Sequence, residues 1–150
     1  MATEEHKALV RQFVAAADQQ DFDRAATYLS PQIVVHLAGA PGPLDFATFF
    51  QFGQMWHAAF PDEQTTFEEQ CAEGERVVSR MRSTATHTGE FQGIAPTGKR
   101  ITVVGIWIDR IVEGKIVERW GVVDMLGVLQ QLGVIPAPGQ RGPEPRSGDR

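Results

Sequence analysis

The stretch Arg76-Val77-Val78-Ser79-Arg80-Met81-Arg82-Ser83-Thr84-Ala85-Thr86-His87-Thr88 decides the fold class. Strand side chains alternate between two faces, so Ser83, Ala85 and His87 share one side while Arg80, Arg82, Thr84 and Thr86 take the other. Its neighbours keep the same period of two. Strands are expected over 64–72, 76–88, 99–112 and 115–124, separated by turn signals at Glu73-Gly74, Thr97-Gly98 and Glu113-Gly114.

Toward the N-terminus the period changes. Leu9, Val10, Phe13, Val14 and Ala17 recur at spacings of three and four, predicting an amphipathic helix over 4–18 with Thr3 as its N-cap. A short helix follows Asp21 and is expected to stop at Ser30-Pro31. Ile33 to Leu37 is a short strand, cut off by Gly39-Ala40-Pro41-Gly42-Pro43. Asp45 caps a third helix carrying Phe46, Phe49, Phe50, Met55 and Trp56, and a last short helix runs from Met125 to Leu132, stopped by Gly133. Helices segregated from an antiparallel sheet define an α+β domain. Long, twisted strands with a phenylalanine-rich helix across them make a cone with one open end, a natural small-molecule pocket.

The chain has 150 residues, room for one domain over 1–135 and a tail over 136–150 that holds four of the nine prolines and is expected to be disordered. No apolar run reaches the roughly 20 residues of a membrane span, and the acidic N-terminus lacks a signal-peptide pattern, so a cytoplasmic protein without membrane partners is expected. A net charge of −5 with scattered basic residues argues against nucleic acid as a partner. The lone Cys71 has neither a disulfide partner nor an adjacent histidine. No two histidines have metal-ligand spacing, and no glycine-rich loop joins a strand to a helix, so neither a metal nor a cofactor is expected.

Ala59-Phe60-Pro61-Asp62, Thr86-His87-Thr88-Gly89-Glu90-Phe91-Gln92-Gly93, Pro96-Thr97-Gly98-Lys99 and Lys115-Ile116-Val117-Glu118-Arg119-Trp120 stand in that order. Asp124 and Leu126-Gly127-Val128-Leu129-Gln130-Gln131-Leu132-Gly133 complete a pattern that resembles the SnoaL-like polyketide cyclases, or ester cyclases. The resemblance implies the cystatin-like cone of the nuclear transport factor two superfamily. It also implies cofactor-independent closure of a polyketide ring by intramolecular aldol condensation, with an aspartate at the end of the last strand as acid and base. Asp124 occupies that position. Several cyclases carry histidine just before the tryptophan where this chain has Arg119, which by strand parity is expected to point away from Asp124 toward a partner surface.

The same parity puts Glu118, Trp120 and Val122 on the face of Asp124. A carboxylate beside an indole in an apolar pocket is desolvated, which raises its pKa toward useful base strength. Asp124 reads equally as the N-cap of the helix at Met125, and the two roles are compatible. His36, before the proline-rich loop, is a candidate donor to a substrate carbonyl or alkoxide, as is His87 beside the small Ser83 and Ala85; each alternatively satisfies its ring within the fold. Phe50, Trp56 and His57 are candidate walls for a small apolar or aromatic substrate. The uncovered sheet face predicts a homodimer. A binding protein without turnover, using the same cone, is the alternative reading.

Overall fold

The computed structural model describes residues 2–139. The segment 140–150, most of the expected tail, lies outside the described residues. Helices α1 (Ala2–Asp18), α2 (Phe22–Thr27) and α3 (Phe46–Ala59) enclose strand β1 (Leu29–Leu37) in sequence. Strands β2 (Gln64–Glu73), β3 (Arg76–Thr86), β4 (Arg100–Val112) and β5 (Lys115–Val123) follow, and helix α4 (Met125–Gln131) closes the fold. The five strands form one curved, unclosed sheet in the order β1-β5-β4-β3-β2, antiparallel except for the parallel β1–β5 pair. This is the α+β cone that the element pattern predicts.

The second helix is shorter and the first strand longer than the sequence suggests. Ser30-Pro31 does not end the helix but lies inside β1, where the register with β5 shifts between Leu29 and Val34. β1 is an edge strand, and edges and bulges are where a sheet tolerates proline, which has no N–H to give the ladder.

Two cores hold the ends of the cone. Val10 and Phe13 of α1 pack on Ile33, Val35, Val77, Ile111 and Ile116 at one end. Phe60, Ala85, Phe91, Ile101, Val103, Val128 and Leu132 form the other. The concave face of β4 carries Ile101, Val103, Gly105, Trp107, Asp109 and Ile111, while its convex face exposes Val104 and Ile106.

β5 breaks the simple alternation. Opposite Ile111 stands Ile116, but opposite Arg110 stands Glu118, so Val117 is an extra residue and β5 is bulged there. A one-residue slip exchanges the two faces of a strand. Ile116 faces the core and the bulge then turns Arg119, Gly121 and Val123 inward, leaving Glu118, Trp120 and Val122 on the convex side. The expected parity of β5 is therefore reversed: Arg119 faces the interior, and Trp120, Glu118 and Val122 do not.

Candidate functional site

Between the two cores lies a cavity of about 240 Å³, walled by aromatic side chains from α2, α3 and β4, among them Phe22, Phe49, Phe50, Trp56 and Trp107. It shares Leu37, Phe52, Met81, Val123 and Met125 with a wider depression of about 1030 Å³ at the rim. Apolar walls with a few convergent polar groups are the usual make-up of a small-molecule site.

Three of those polar groups come from three separate elements. Asp18 ends α1, His57 lies in the last turn of α3, and Glu63 precedes β2. The Trp56 indole N–H donates to Glu63 Oε2 at 2.8 Å, and His57 Nε2 stands 3.6 Å from Glu63 Oε1. The Gly53 carbonyl, one turn back on α3, lies 3.1 Å from His57 Nδ1 and can only accept, so Nδ1 carries a proton. In the neutral ring Nε2 is then the basic nitrogen; it is buried and has no hydrogen-bond partner. Asp18 Oδ2 accepts from the Thr65 amide at 2.8 Å and Oδ1 from the Thr65 hydroxyl at 3.1 Å.

Burial dominates the electrostatics here. It pushes the Glu63 carboxyl up to about 7; the Trp56 N–H opposes this, and the nearby Asp18 and Asp62 charges add to it. Asp18 is raised by the same desolvation, opposed by Thr65, and His57 is lowered by burial. A carboxyl poised between its two states, beside a histidine kept neutral, is suited to taking and returning a proton near neutral pH. The donor atoms of Asp18, His57 and Glu63 all lie within 4.8 Å of one another, close enough to hold a metal ion as well. Sequence spacing among the histidines alone does not reveal this group, because its carboxylates come from other elements.

A second buried polar pair places one member, Arg119, on the cavity wall. Arg119 Nε donates to Asp109 Oδ1, and both side chains are buried. The guanidinium lies 4.1 Å from the centre of the Trp107 ring, with Phe13 at 4.9 Å and Phe49 at 5.5 Å. Burial raises the Asp109 carboxyl against the pull of Arg119.

The SnoaL-like polyketide cyclase family model matches residues 7–132. The chain belongs to this family. It is 31% identical over 135 residues to the aklanonic acid methyl ester cyclase DnrD of Streptomyces peucetius, covering 83% of this chain and 88% of that one. Its likeness to the cyclase AcmA of Streptomyces galilaeus is 29% over 136 residues, 86% of this chain and 91% of that one. Among solved structures, AclR of Streptomyces galilaeus, described as a candidate hydroxylase, superposes with a TM-score of 0.83 at 36% identity over 89% of this chain and 99% of its own. IdmH of Streptomyces antibioticus, a candidate polyketide cyclase, gives 0.77 at 28% over 85% and 98%.

Within this family cone the residues singled out from sequence fall into four places. Phe50, Trp56 and His57 line the cavity. His36, Glu118 and Trp120 are brought together, but on the convex face: His36 Nε2 lies 2.8 Å from Glu118 Oε2 and its ring stacks on Trp120 at 5.4 Å. Val122, 63% exposed, is on that face too. Asp124 sits at the rim, exposed, with Oδ1 accepting the Gly127 amide at 2.9 Å as the N-cap of α4. The bulge at Val117 turns Trp120 to the convex side, and Asp124, just past the end of β5, is not enclosed by the apolar walls expected around it. His87 is fully buried against Phe60, its Nδ1 accepting the Thr97 amide at 3.1 Å, and is not among the residues lining the cavity.

Asp18, Glu63 and Asp109 were not singled out from sequence, and Arg119 was expected on a partner surface rather than in the cavity wall. For Asp109 a signal exists: it is the one carboxylate within the apolar run Ile106-Trp107-Ile108-Asp109-Arg110-Ile111, on the parity of Trp107.

Proposed function

We propose that this chain is a cofactor-independent cyclase that closes a ring of a flat, apolar polyketide-type ester by intramolecular aldol condensation. The observation that carries this reading is the buried Glu63–His57 pair in an aromatic-walled cavity, in a chain whose relatives include aklanonic acid methyl ester cyclases. Glu63, oriented by Trp56, removes a proton from a carbon flanked by carbonyls. The resulting enolate carbon attacks a second carbonyl of the same molecule and a carbon–carbon bond forms. Protonated Glu63 returns its proton to the alkoxide, so product and substrate have equal mass. His57 Nε2 is within reach to relay that proton, and the aromatic walls fold the substrate into a near-attack geometry. Asp124, the base implied by the family resemblance, is assigned to the rim, where it holds α4 against the opening.

Aklanonic acid methyl ester is the probe substrate. Turnover to an isomeric product is expected. Glu63→Gln should lower kcat by about 100-fold or more, the usual contribution of a general base, with ligand affinity little changed. Loss of turnover in Asp124→Asn with Glu63→Gln unaffected would return the base to the rim. Saturable binding without turnover would favour the binding-protein reading. A product heavier by one oxygen would favour a hydroxylase, as AclR is described.

A further inference from the structure

Arg119 is an unusual residue to find in an aromatic wall. Its side chain is 4% exposed, and a buried cation is tolerated only when paired or hydrogen-bonded. Asp109 supplies part of that pairing, but through Nε alone. A pair built only for stability would turn the two-nitrogen edge of the guanidinium onto both carboxylate oxygens. Here the second oxygen, Asp109 Oδ2, is buried without a hydrogen-bond partner. The fork is not spent on Asp109.

The terminal nitrogens of Arg119 find no acceptor among the described residues. They are also absent from the fully buried, unpartnered polar atoms, which are His57 Nε2, His87 Nε2 and Asp109 Oδ2. Since Arg119 lines the cavity, these nitrogens open onto its space. The plane of the guanidinium is fixed by Trp107 on one side and by Asp109 at Nε. The indole can lie there because its strand partner is Gly121; a Cβ at that position would stand 2.4 Å from the Trp107 ring. Sequence and packing thus hold a planar, charged donor fork at a set angle within aromatic walls. Such a fork matches a planar pair of oxygens better than a point charge would.

We propose that Arg119 forms an oxyanion-binding subsite inside the cone, specific for a planar aromatic ligand with two adjacent oxygens sharing a negative charge, as in an enolised 1,3-dicarbonyl or an aromatic carboxylate. The inference rests on the cyclase reading only in taking this cavity as the substrate site; there, Arg119 would hold the enolate oxygens while Glu63 handles the proton. Binding alone tests it, without turnover.

The probes are 1-hydroxy-2-naphthoate, a planar oxyanion, and 2-acetonaphthone, a neutral ketone of similar shape, titrated by calorimetry into the full chain at pH 8. The wild-type protein should prefer the anion by about 30-fold, the size expected of a charge-assisted fork. Arg119→Lys keeps the charge but loses the fork, and should give up about 10-fold of that preference. The double variant Arg119→Met/Asp109→Leu, which leaves no lone carboxylate behind, should bind both probes alike. Equal affinity for both probes in the wild type overturns the proposal, as does anion preference surviving in the double variant. If thermal melting shows the double variant unfolded, the wild type and Arg119→Lys decide the matter between them. Glu63→Gln should keep the anion preference; failure of turnover in every variant would then remove the cyclase reading while leaving this subsite standing.

Discussion

Glu63 joins stability to chemistry at a single residue. Its carboxyl titrates at about 7 in the folded protein against an ordinary value of 4.5. The folded state therefore holds this proton more tightly, and between those two values stability falls as pH rises. Above 7 the full cost, about 3 kcal/mol, is present. His57 acts in the opposite sense: its pKa is lowered by burial, so the folded state resists protonation and stability falls as pH drops below its ordinary 6.5. The two effects partly offset each other in the wild type, so Glu63 is isolated by comparison with Glu63→Gln. Urea denaturation at pH 5 and pH 8 should show the variant gaining on the wild type by up to about 3 kcal/mol at the higher pH. A difference independent of pH would mean that Glu63 is not desolvated. Activity should rise with pH through about 7 as the base ionises. His57 was visible in the sequence as a cavity residue, but its partners were not. Asp18 and Glu63 lie 39 and 6 positions away on other elements, and only the closed fold brings them together.

At the scale of elements, the bulge at Val117 decides which side chains meet the ligand. The hairpin before it is legible: Glu113 and Gly114 both have positive φ, at 50° and 73°, which a tight two-residue turn requires. Counting forward from that turn with strict alternation puts Ile116, Glu118 and Trp120 on one face, whereas the bulge puts Ile116 inside and the other two outside. Nothing in Lys115-Ile116-Val117-Glu118-Arg119 marks the extra residue, since no glycine or proline stands there. The strands and helices themselves follow from periodicity and caps and were readable; a one-residue slip within a strand leaves composition and pattern unchanged. Gly121 tests the consequence. Gly121→Ala places a methyl 2.4 Å from the Trp107 ring, so the indole must leave its seat under Arg119. Overpacking of this kind costs about 1–3 kcal/mol, and melting temperature should fall together with affinity for 1-hydroxy-2-naphthoate. Asp124→Ala makes a contrasting case. It removes the α4 N-cap and should cost about 1 kcal/mol, measured by urea denaturation, while leaving probe affinity unchanged.

For the whole molecule, the question is what the convex face of the sheet does. The helices pack on the concave side, and the opposite side exposes Val104 at 47%, Ile106 at 49% and Val122 at 63%. These are neighbours, since Ile106 and Val122 face each other across β4 and β5. Ion pairs flank the apolar strip, Arg82 with Glu68 at 2.7 Å and Arg80 with Glu69 at 3.8 Å. A second copy of the chain related by a twofold axis would lay apolar strip on apolar strip. Arginines of one copy would then stand near glutamates of the other, a surface complementary to itself. His36, Glu118 and Trp120, on the same convex side, add an aromatic and charged cluster at the β1–β5 edge. A homodimer through this face is the expected state at micromolar concentration, with a mass by light scattering twice that of one chain. Ile106→Glu combined with Val122→Glu should give monomers, because like charges would be buried against an apolar strip without partners. The concave cavity lies on the other side of the sheet, so the monomeric variant should keep the anion preference assigned to Arg119. A wild type that is monomeric at those concentrations would leave the convex strip without this partner.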